Sequence, residues 1–277
     1  ALGVLFVSPQ GNDTTGNGST MSPYATVTTA MAKGANVCLL PGSYPETLTT
    51  SNITGLSTLI HGTSSMSSAV TVGTGSTIFD GIIFNQSVTV TAQAEFNDCT
   101  FLGDITVTGI GSFYGCSLSG NITNSGTLIA DSCSCTNGDC TITTSTNIEI
   151  SNSSGISVVH NGGLVELYNI VYCGGITSTS SSSDDTLILR NVSLSNNDGT
   201  WNVLNKSGTC PYIIQNVSRL SSQDTLAGNR LEFANTDDDI GDQYVAATIT
   251  GDYSITNNNR IYDITVNTAS SFTITMG

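Results

Sequence analysis

The charged residues of this 277-residue chain are few, and their spacing limits the reactions that they could catalyse. Six Lys and Arg residues stand against 21 Asp and Glu residues, which gives a formal net charge of −15 at pH 7. A polysaccharide lyase needs an Arg or Lys base, together with carboxylates that hold calcium against a sugar acid. Only Arg190 and Arg219 fall near corresponding positions of the repeat described below, and no series of carboxylates accompanies them. The sequence therefore argues against lyase chemistry.

Hydrolytic chemistry finds equally little support. A glycoside hydrolase needs two carboxyl groups that flank the scissile bond. Asp184 and Asp185 are adjacent, but they follow four consecutive serines, and neighbouring side chains of an extended segment point to opposite sides. His61 and His160, the two histidines, lie far apart in the sequence without a Ser or Cys nucleophile in a triad pattern. We therefore expect no catalytic residues and predict that the chain is not an enzyme.

The eight cysteines divide into two kinds of candidate. Cys99, Cys116 and Cys133 recur at equal steps, which indicates a stack of buried thiols whose parallel Cβ vectors hold the sulfurs apart. Cys135 and Cys140 flank a short insertion and could close a small disulfide loop. A zinc site at Cys133, Cys135 and Cys140 is disfavoured because a fourth ligand is missing.

An acidic cluster near the C-terminal end offers the strongest concentration of oxygen ligands. Asp237, Asp238, Asp239 and Asp242 could bind calcium, although their spacing is not that of an EF-hand. The sequence favours a solvated hinge, and a calcium-ordered junction is the alternative. We therefore predict that the chain binds no cofactor, with calcium at this junction as the one candidate.

An internal repeat of 17 residues must position all of these side chains. Two columns of apolar residues share this step. In both columns the step lengthens once, by the same insertion of three residues after Cys133, and then returns to 17. A third set of aromatic residues precedes the first column by three positions. The predicted core positions are Ile82, Cys99, Cys116 and Cys133 in the first column, Val88, Ile105 and Ile122 in the second, and Phe96 and Phe113 in the third.

The residues between these columns predict short strands joined by tight corners. A Gly, Asp, Ser or Asn residue precedes each first-column position, and such residues accept or tolerate left-handed backbone geometry. In segments such as 105–107 and 187–189, inward-facing and outward-facing positions alternate with a period of two, which is typical of strands with one buried face. The repeat fits one turn of a parallel β-helix, in which like side chains stack about 4.8 Å apart.

The two ends of the chain differ from the repeat. Residues 22–34 predict a capping helix, with Ser22 as N-cap, Pro23 as first helical residue and Gly34 at the stop. Residues 244–276 contain alternating segments separated by turns, which predict a small antiparallel β module. The predicted organisation is therefore a strand and capping helix in 1–36, a β-helical shaft in 37–236 and a C-terminal β module in 237–277.

The opening of the chain resembles that of pectin-lyase-like β-helix proteins. The resemblance lies in Val7–Asp13, in Pro23–Val27 with Ala30, and in the run Val37–Tyr44 with its Pro-Gly-x-Tyr ending. It implies an all-β, right-handed parallel β-helix with coils of about 17 residues. Members of this group include polysaccharide-active enzymes, secreted surface proteins and viral spikes or fibres. The C-terminal segment is similar to terminal modules of phage tail and large-virus structural proteins.

Composition and resemblance together favour a non-catalytic structural protein of a virus particle, such as a capsid spike, fibre or tailspike component used in host attachment. The expected partners are other virion or capsid proteins, identical copies in a trimer, and host-surface glycans, at the virion surface or outside the cell. Two alternatives remain, a carbohydrate-active lyase or hydrolase and a secreted cellular adhesin. Nucleic acid is not expected as a partner, because six scattered cations cannot neutralise a phosphate track. No apolar run of about 18 residues predicts a membrane span.

Overall fold

A computed structural model describes residues 3–34, 36–50, 58–136, 140–171, 173–194 and 204–217, and the backbone of six later strands. The chain is an all-β parallel β-solenoid, which confirms the predicted fold class. It divides into two compact units, Ala1–Cys140 and Thr141–Gly277. The boundaries of the three predicted segments stay a prediction.

The first unit carries three parallel sheets, named 1A, 1B and 1C, and each coil contributes one strand to each of them. Sheet 1A contains Leu5–Val7, Asn36–Leu39, Thr58–His61, Ser76–Asp80, Gln93–Asn97, Ile110–Tyr114 and Thr127–Asp131. Sheet 1B contains Leu48–Thr50, Val70–Val72, Val88–Val90, Ile105–Val107 and Ile122–Asn124. Sheet 1C contains Ser43–Tyr44, Ser65–Met66, Ile83–Phe84, Thr100–Phe101, Ser117–Leu118 and Ser134–Cys135.

The second unit carries two sheets, 2A and 2B, and a further strand pair. A strand at Cys140–Thr144 lies at the boundary between the units. Sheet 2A contains Ile148–Ser151, Leu164–Ile170, Thr186–Val192, Tyr212–Gln215 and Leu231–Glu232. Sheet 2B contains Ile156–His160, Gly175–Ser178, Leu204–Lys206, Thr225–Leu226, Val245–Ile249 and Tyr262–Val266, and the pair is Tyr253–Ile255 with Ile274–Met276.

The N-terminal helix is shorter than predicted. It spans Val27–Met31, and its N-cap is Thr26 rather than Ser22. The residues before it are held in extended geometry by two contacts. Tyr24 forms a parallel β-bridge with Val7, and the Asp13 carboxylate accepts from the backbone N–H of Thr26 at 3.1 Å. The chain therefore enters the helix later than its local Ser-Pro signal predicts.

The core of the first unit is a stack of aromatic rings. Phe96 lies between Phe79 and Phe113, with ring centroids 5.1 and 4.9 Å away. A second stack formed by Phe84 and Phe101, 5.0 Å apart, meets the first edge to face. All five rings are at most 1% exposed. Offset stacks and edge contacts of this kind add stabilisation beyond the buried area.

The predicted core columns lie inside the solenoid. Ile82, Cys99, Cys116 and Cys133 are at most 2% exposed, and burial raises the pKa of the Cys99 thiol to about 12. The thiols of Cys99, Cys116 and Cys133 donate to the carbonyls of Phe79, Phe96 and Phe113. Val88, Ile105 and Ile122 pair in register and are 1% exposed. A disulfide joins Cys135 and Cys140.

The corner residues adopt left-handed backbone geometry. In the second unit this column is asparagine, with φ between 49° and 53° at Asn152, Asn169, Asn191 and Asn216. Their side chains form an asparagine ladder: each amide donates to the side-chain oxygen of the asparagine one coil earlier, at 3.0, 2.8 and 2.7 Å. Asparagine both tolerates this geometry and supplies a donor and an acceptor.

The C-terminal strands run parallel, so the predicted antiparallel module is not confirmed. Val245–Ile249 pairs with Tyr262–Val266 in parallel, and Tyr253–Ile255 pairs with Ile274–Met276 in parallel. Val245 is partnered by Tyr262, 17 positions later, which is the predicted coil length. These strands therefore continue the solenoid pattern.

Candidate functional site

The outer face of sheet 2A brings together charged and aromatic side chains that are far apart in the sequence. Glu149 is paired with Glu166 on the next strand, and Tyr168 is paired with Arg190 on the strand after that. Paired positions of parallel strands point to the same side, about 4.8 Å apart. All four side chains are half-buried or exposed. The strands therefore present two carboxylates, a phenol and a guanidinium on one surface.

Hydrogen bonds connect three of these side chains, which we call the Glu166–Tyr168–Arg190 relay. The Tyr168 hydroxyl donates to Glu166 Oε1 at 2.9 Å and accepts from Arg190 Nη1 at 3.0 Å. The guanidinium carbon lies 5.2 Å from the centroid of the Tyr168 ring, within the range of a cation–π contact. Arg190 Nε is buried without a hydrogen-bond partner among the described residues. The relay thus fixes the orientation of Arg190 but leaves donor capacity unused.

The electrostatics of the relay keep the phenol protonated. Burial raises the pKa of Tyr168, and the hydrogen bond to the Glu166 carboxylate raises it further, while Arg190 acts in the opposite direction. At neutral pH the hydroxyl therefore remains a donor toward Glu166. The arrangement can offer guanidinium donors and carboxylate acceptors to a hydroxyl-rich ligand.

This arrangement corrects the expectation that no carboxylates accompany Arg190. Glu149 and Glu166 differ by 17 positions, and Tyr168 and Arg190 differ by 22. The step of 22 positions from Tyr168 to Arg190 is also the step between Ile170 and Val192, which pair in the same sheet. Projecting outward-facing residues along the repeat, and not only inward-facing ones, would have predicted the cluster.

The other predicted site residues lie elsewhere. The Asp185 carboxylate accepts from the Gly163 backbone N–H at 2.8 Å and from the Ser180 hydroxyl, so it organises a corner, whereas Asp184 is exposed. His61 ends a strand of sheet 1A and is half-buried. The remaining candidates lie outside the described residues: Arg219, Asp237, Asp238, Asp239 and Asp242.

In the part of the chain that the structure describes, no group of three or more His, Cys, Asp or Glu side chains is arranged to hold a metal ion. Among the same residues, no helix has the length and apolar character needed to cross a membrane. The expectations about cofactors and partners stay predictions.

A buried polar cluster lies inside the second unit. His160 Nε2 lies 3.0 Å from the Gly163 carbonyl, so it carries the proton, and Nδ1 accepts from the Ser178 hydroxyl at 3.0 Å. Lys206 Nζ donates to the Gly208 carbonyl at 2.7 Å. Both His160 and Lys206 are fully buried. Burial lowers the pKa of His160, and Lys206 lowers it further, while the Gly163 bond and Asp185 raise it.

We expect the free energy of unfolding to decrease as the pH falls below 6.5, the ordinary pKa of histidine. In this range the unfolded chain binds a proton at His160 that the folded chain excludes, so stability must increase with pH. Urea unfolding between pH 7.5 and 5 measures the slope. His160→Gln is expected to reduce the slope of the unfolding free energy against pH. His61→Gln, at a half-buried strand end, is the control and is expected to leave the slope unchanged. Equal slopes in wild type and His160→Gln would contradict the assignment.

Comparisons with known proteins give one distant likeness. No family model matches the chain, and no curated protein is similar to it. A solved structure named rhamnogalacturonan lyase is similar at a TM-score of 0.36 and 10% sequence identity, over 98% of this chain and 86% of that chain. The prediction of a non-enzyme is contradicted by this likeness, because the similar structure is named as a lyase. At this TM-score the likeness carries no activity over to the chain, and it does not bear on a viral origin.

Proposed function

We propose that the protein is a surface-exposed β-helical shaft of a virus particle that binds neutral host glycans through the outer face of sheet 2A. The observation that carries the glycan-binding part of this proposal is the Glu166–Tyr168–Arg190 relay. Its side chains stand on strands of a rigid sheet, where their geometry is set before a ligand arrives. Preorganised groups lose less entropy on binding than groups on mobile loops.

The chemistry of the face favours a neutral sugar over an acidic one. Glu149 and Glu166 supply acceptors for sugar hydroxyls, and Arg190 supplies donors. Two carboxylates stand against one guanidinium, and the whole chain carries a formal charge of −15. This excess repels polyanionic chains such as uronates and sulfated glycans, and the repulsion is strongest at low salt.

Binding to an array of neutral and acidic glycans tests the proposal with the full chain. We expect neutral glycans to be retained, and Arg190→Ala to weaken their binding about tenfold or more, as the loss of charge-assisted hydrogen bonds predicts. Thr186→Ala is the matched control, because Thr186 lies on the same strand outside the relay. The absence of binding to any neutral glycan, or equal binding by Arg190→Ala and wild type, would refute the proposed site.

The virus-particle setting rests on the sequence resemblance and requires a separate experiment. Mass spectrometry of purified virions and of secreted cell fractions distinguishes the two surface locations. We expect the chain in virions, together with other capsid proteins. Its presence only in the secreted fraction would favour the adhesin alternative. The expected trimer of identical copies is tested by light scattering of the purified chain. A monomer at high protein concentration would contradict the trimer.

Glycan cleavage is a second candidate function, favoured by the register of Glu149 with Glu166. Their Cα spacing of about 4.8 Å is close to the separation of about 5–5.5 Å between the carboxyl groups of retaining glycosidases. Incubation with a panel of polysaccharides would release reducing ends, and Glu166→Gln would abolish the release. Binding without any product would leave the first function and exclude the second.

A further inference from the structure

The outer face of sheet 1B carries a regular array of threonines that the glycan proposal does not use. One threonine from each of five consecutive coils points outward, and each is paired in register with the next. All five are half-buried or exposed. This first column consists of Thr49, Thr71, Thr89, Thr106 and Thr123.

A second column of hydroxyl groups runs beside the first. Thr91, Thr108 and Ser125 each follow a first-column threonine by two positions, and all three are exposed. The hydrogen-bonded ladder of the sheet extends through them. The backbone N–H groups of Thr108 and Ser125 donate to the backbone carbonyls of Val90 and Val107, each at 2.8 Å. Three successive coils therefore present a Thr-x-Thr or Thr-x-Ser pair on the same face.

Two of the three side chains in this second column are fixed in orientation by hydrogen bonds. The Thr91 hydroxyl donates to the Val72 carbonyl at 2.9 Å, and the Thr108 hydroxyl donates to the Val90 carbonyl at 3.3 Å. Each hydroxyl hydrogen is thus used within the protein, while the oxygen lone pairs and the methyl group remain available to solvent. Threonine is also stiff about its first side-chain torsion because it is branched at Cβ.

The sheet beneath the columns holds them at regular intervals. Val72, Val90 and Val107 face inward and are fully buried, so the outward residues alternate with an anchored core. Neighbouring hydroxyls along a column are about 4.8 Å apart, and the two columns are about 6.6 Å apart, which is twice the rise per residue of a parallel strand. The interval along a column is close to the shorter oxygen repeat of hexagonal ice, and the interval between the columns is somewhat shorter than the longer repeat.

The two columns are uncharged, although the chain as a whole is strongly acidic. Neither column contains a charged residue among its described positions, and the carboxylate of Asp104, which immediately precedes one strand of the sheet, accepts from the backbone N–H of Asn121 at 2.9 Å. A charged polymer or an anionic membrane finds no complementary group on these columns. A neutral lattice of water molecules matches their lack of charge, and its shorter repeat is close to the step along each column.

We propose that these two columns form an ice-binding face. Ordered water is held between the hydroxyl rows, and the methyl groups restrict the remaining first-shell water, so that the hydrated face joins an ice lattice without further ordering. The array is part of a sheet, and little conformational entropy is lost when it meets a solid surface. This site is on a different sheet and in a different unit from the relay, so either proposal can fail alone.

Partition of the full chain into slowly growing ice is the first test. Wild type is expected to be enriched in the ice fraction, to shape single ice crystals and to slow recrystallisation. Thr106→Lys places a long charged side chain in the centre of the first column, and we expect it to reduce the ice-bound fraction about tenfold. Ser112→Lys introduces the same charge on the outer face of sheet 1A and is the matched control.

The outcomes separate this face from other surfaces. Thermal unfolding followed by circular dichroism establishes that both variants are folded before they are compared. Exclusion of wild type from ice overturns the proposal. Equal loss in Thr106→Lys and Ser112→Lys also overturns it, because a general charge effect would then explain the result. Exclusion from ice combined with Thr106-dependent binding to crystalline polysaccharide, or to a second copy of the chain, assigns the face to that partner instead.

Discussion

Replacing Phe96 with alanine is expected to lower the free energy of unfolding by about 3–5 kcal/mol. The ring is fully buried and is stacked on both sides by Phe79 and Phe113. The neighbouring rings are held by their own coils and cannot collapse into the space that the substitution leaves. The loss therefore combines the transfer energy of the ring, the energy of the cavity and the stacking energy.

Urea unfolding followed by circular dichroism measures this loss. Ile110→Ala is the control, because Ile110 is 44% exposed on the outer face of the same sheet, and it should change the stability by less than about 0.5 kcal/mol. Comparable losses in the two variants would show that the aromatic stack is not the centre of the core. The comparison also tests the inward and outward assignment of sheet 1A.

Gly126→Ala is expected to destabilise the protein by about 3 kcal/mol, at the upper end of the range for overpacking. A Cβ atom at this position would lie 2.0 Å from the carbonyl oxygen of Gly109, one coil earlier. A Cβ atom at Gly109 would likewise lie 2.0 Å from the carbonyl oxygen of Ala92. Both neighbours are backbone atoms of hydrogen-bonded coils, so relief requires a shift of the coil and not of a flexible side chain.

Gly3→Ala is the matched control for this substitution, because a Cβ atom at Gly3 would have no heavy atom within 4 Å. The two variants make the same chemical change with the same effect on the unfolded chain. A difference in urea midpoint therefore reports the contact between coils. If Gly126→Ala unfolds at the wild-type midpoint, the coils are not in van der Waals contact at this corner.

The sequence predicts those parts of the fold that repeat locally. Equal steps between Ile82, Cys99 and Cys116 define a coil, and a turn-prone residue before each of them marks the corner that every coil must make. These signals depend on properties of single residues, namely hydrophobicity and tolerance of left-handed geometry. They are therefore visible without knowledge of partners distant in the sequence.

The features that the sequence does not predict depend on distant partners. The helix begins at Val27, after the N-cap Thr26, because Asp13 and Glu46 accept from backbone N–H groups at its start, and neither residue belongs to the local capping signal. The relay is visible in the sequence only indirectly, because coils of the second unit differ in length. Tyr168 is aligned with Arg190 only when the longer step from Ile170 to Val192 is projected onto the outward-facing residues.

The in-register pairing of the coils has a consequence for how such a chain can grow. Phe96 is partnered by Phe113, and Phe101 by Leu118, so a segment of 17 residues ends where the next copy must begin. A tandem duplication of one such segment would present unchanged edges to the coils above and below it, since each contacts only its neighbours. The reach of the protein is therefore adjustable in steps of about 4.8 Å, the height of a single turn, by copying DNA in frame without redesigning any interior contact.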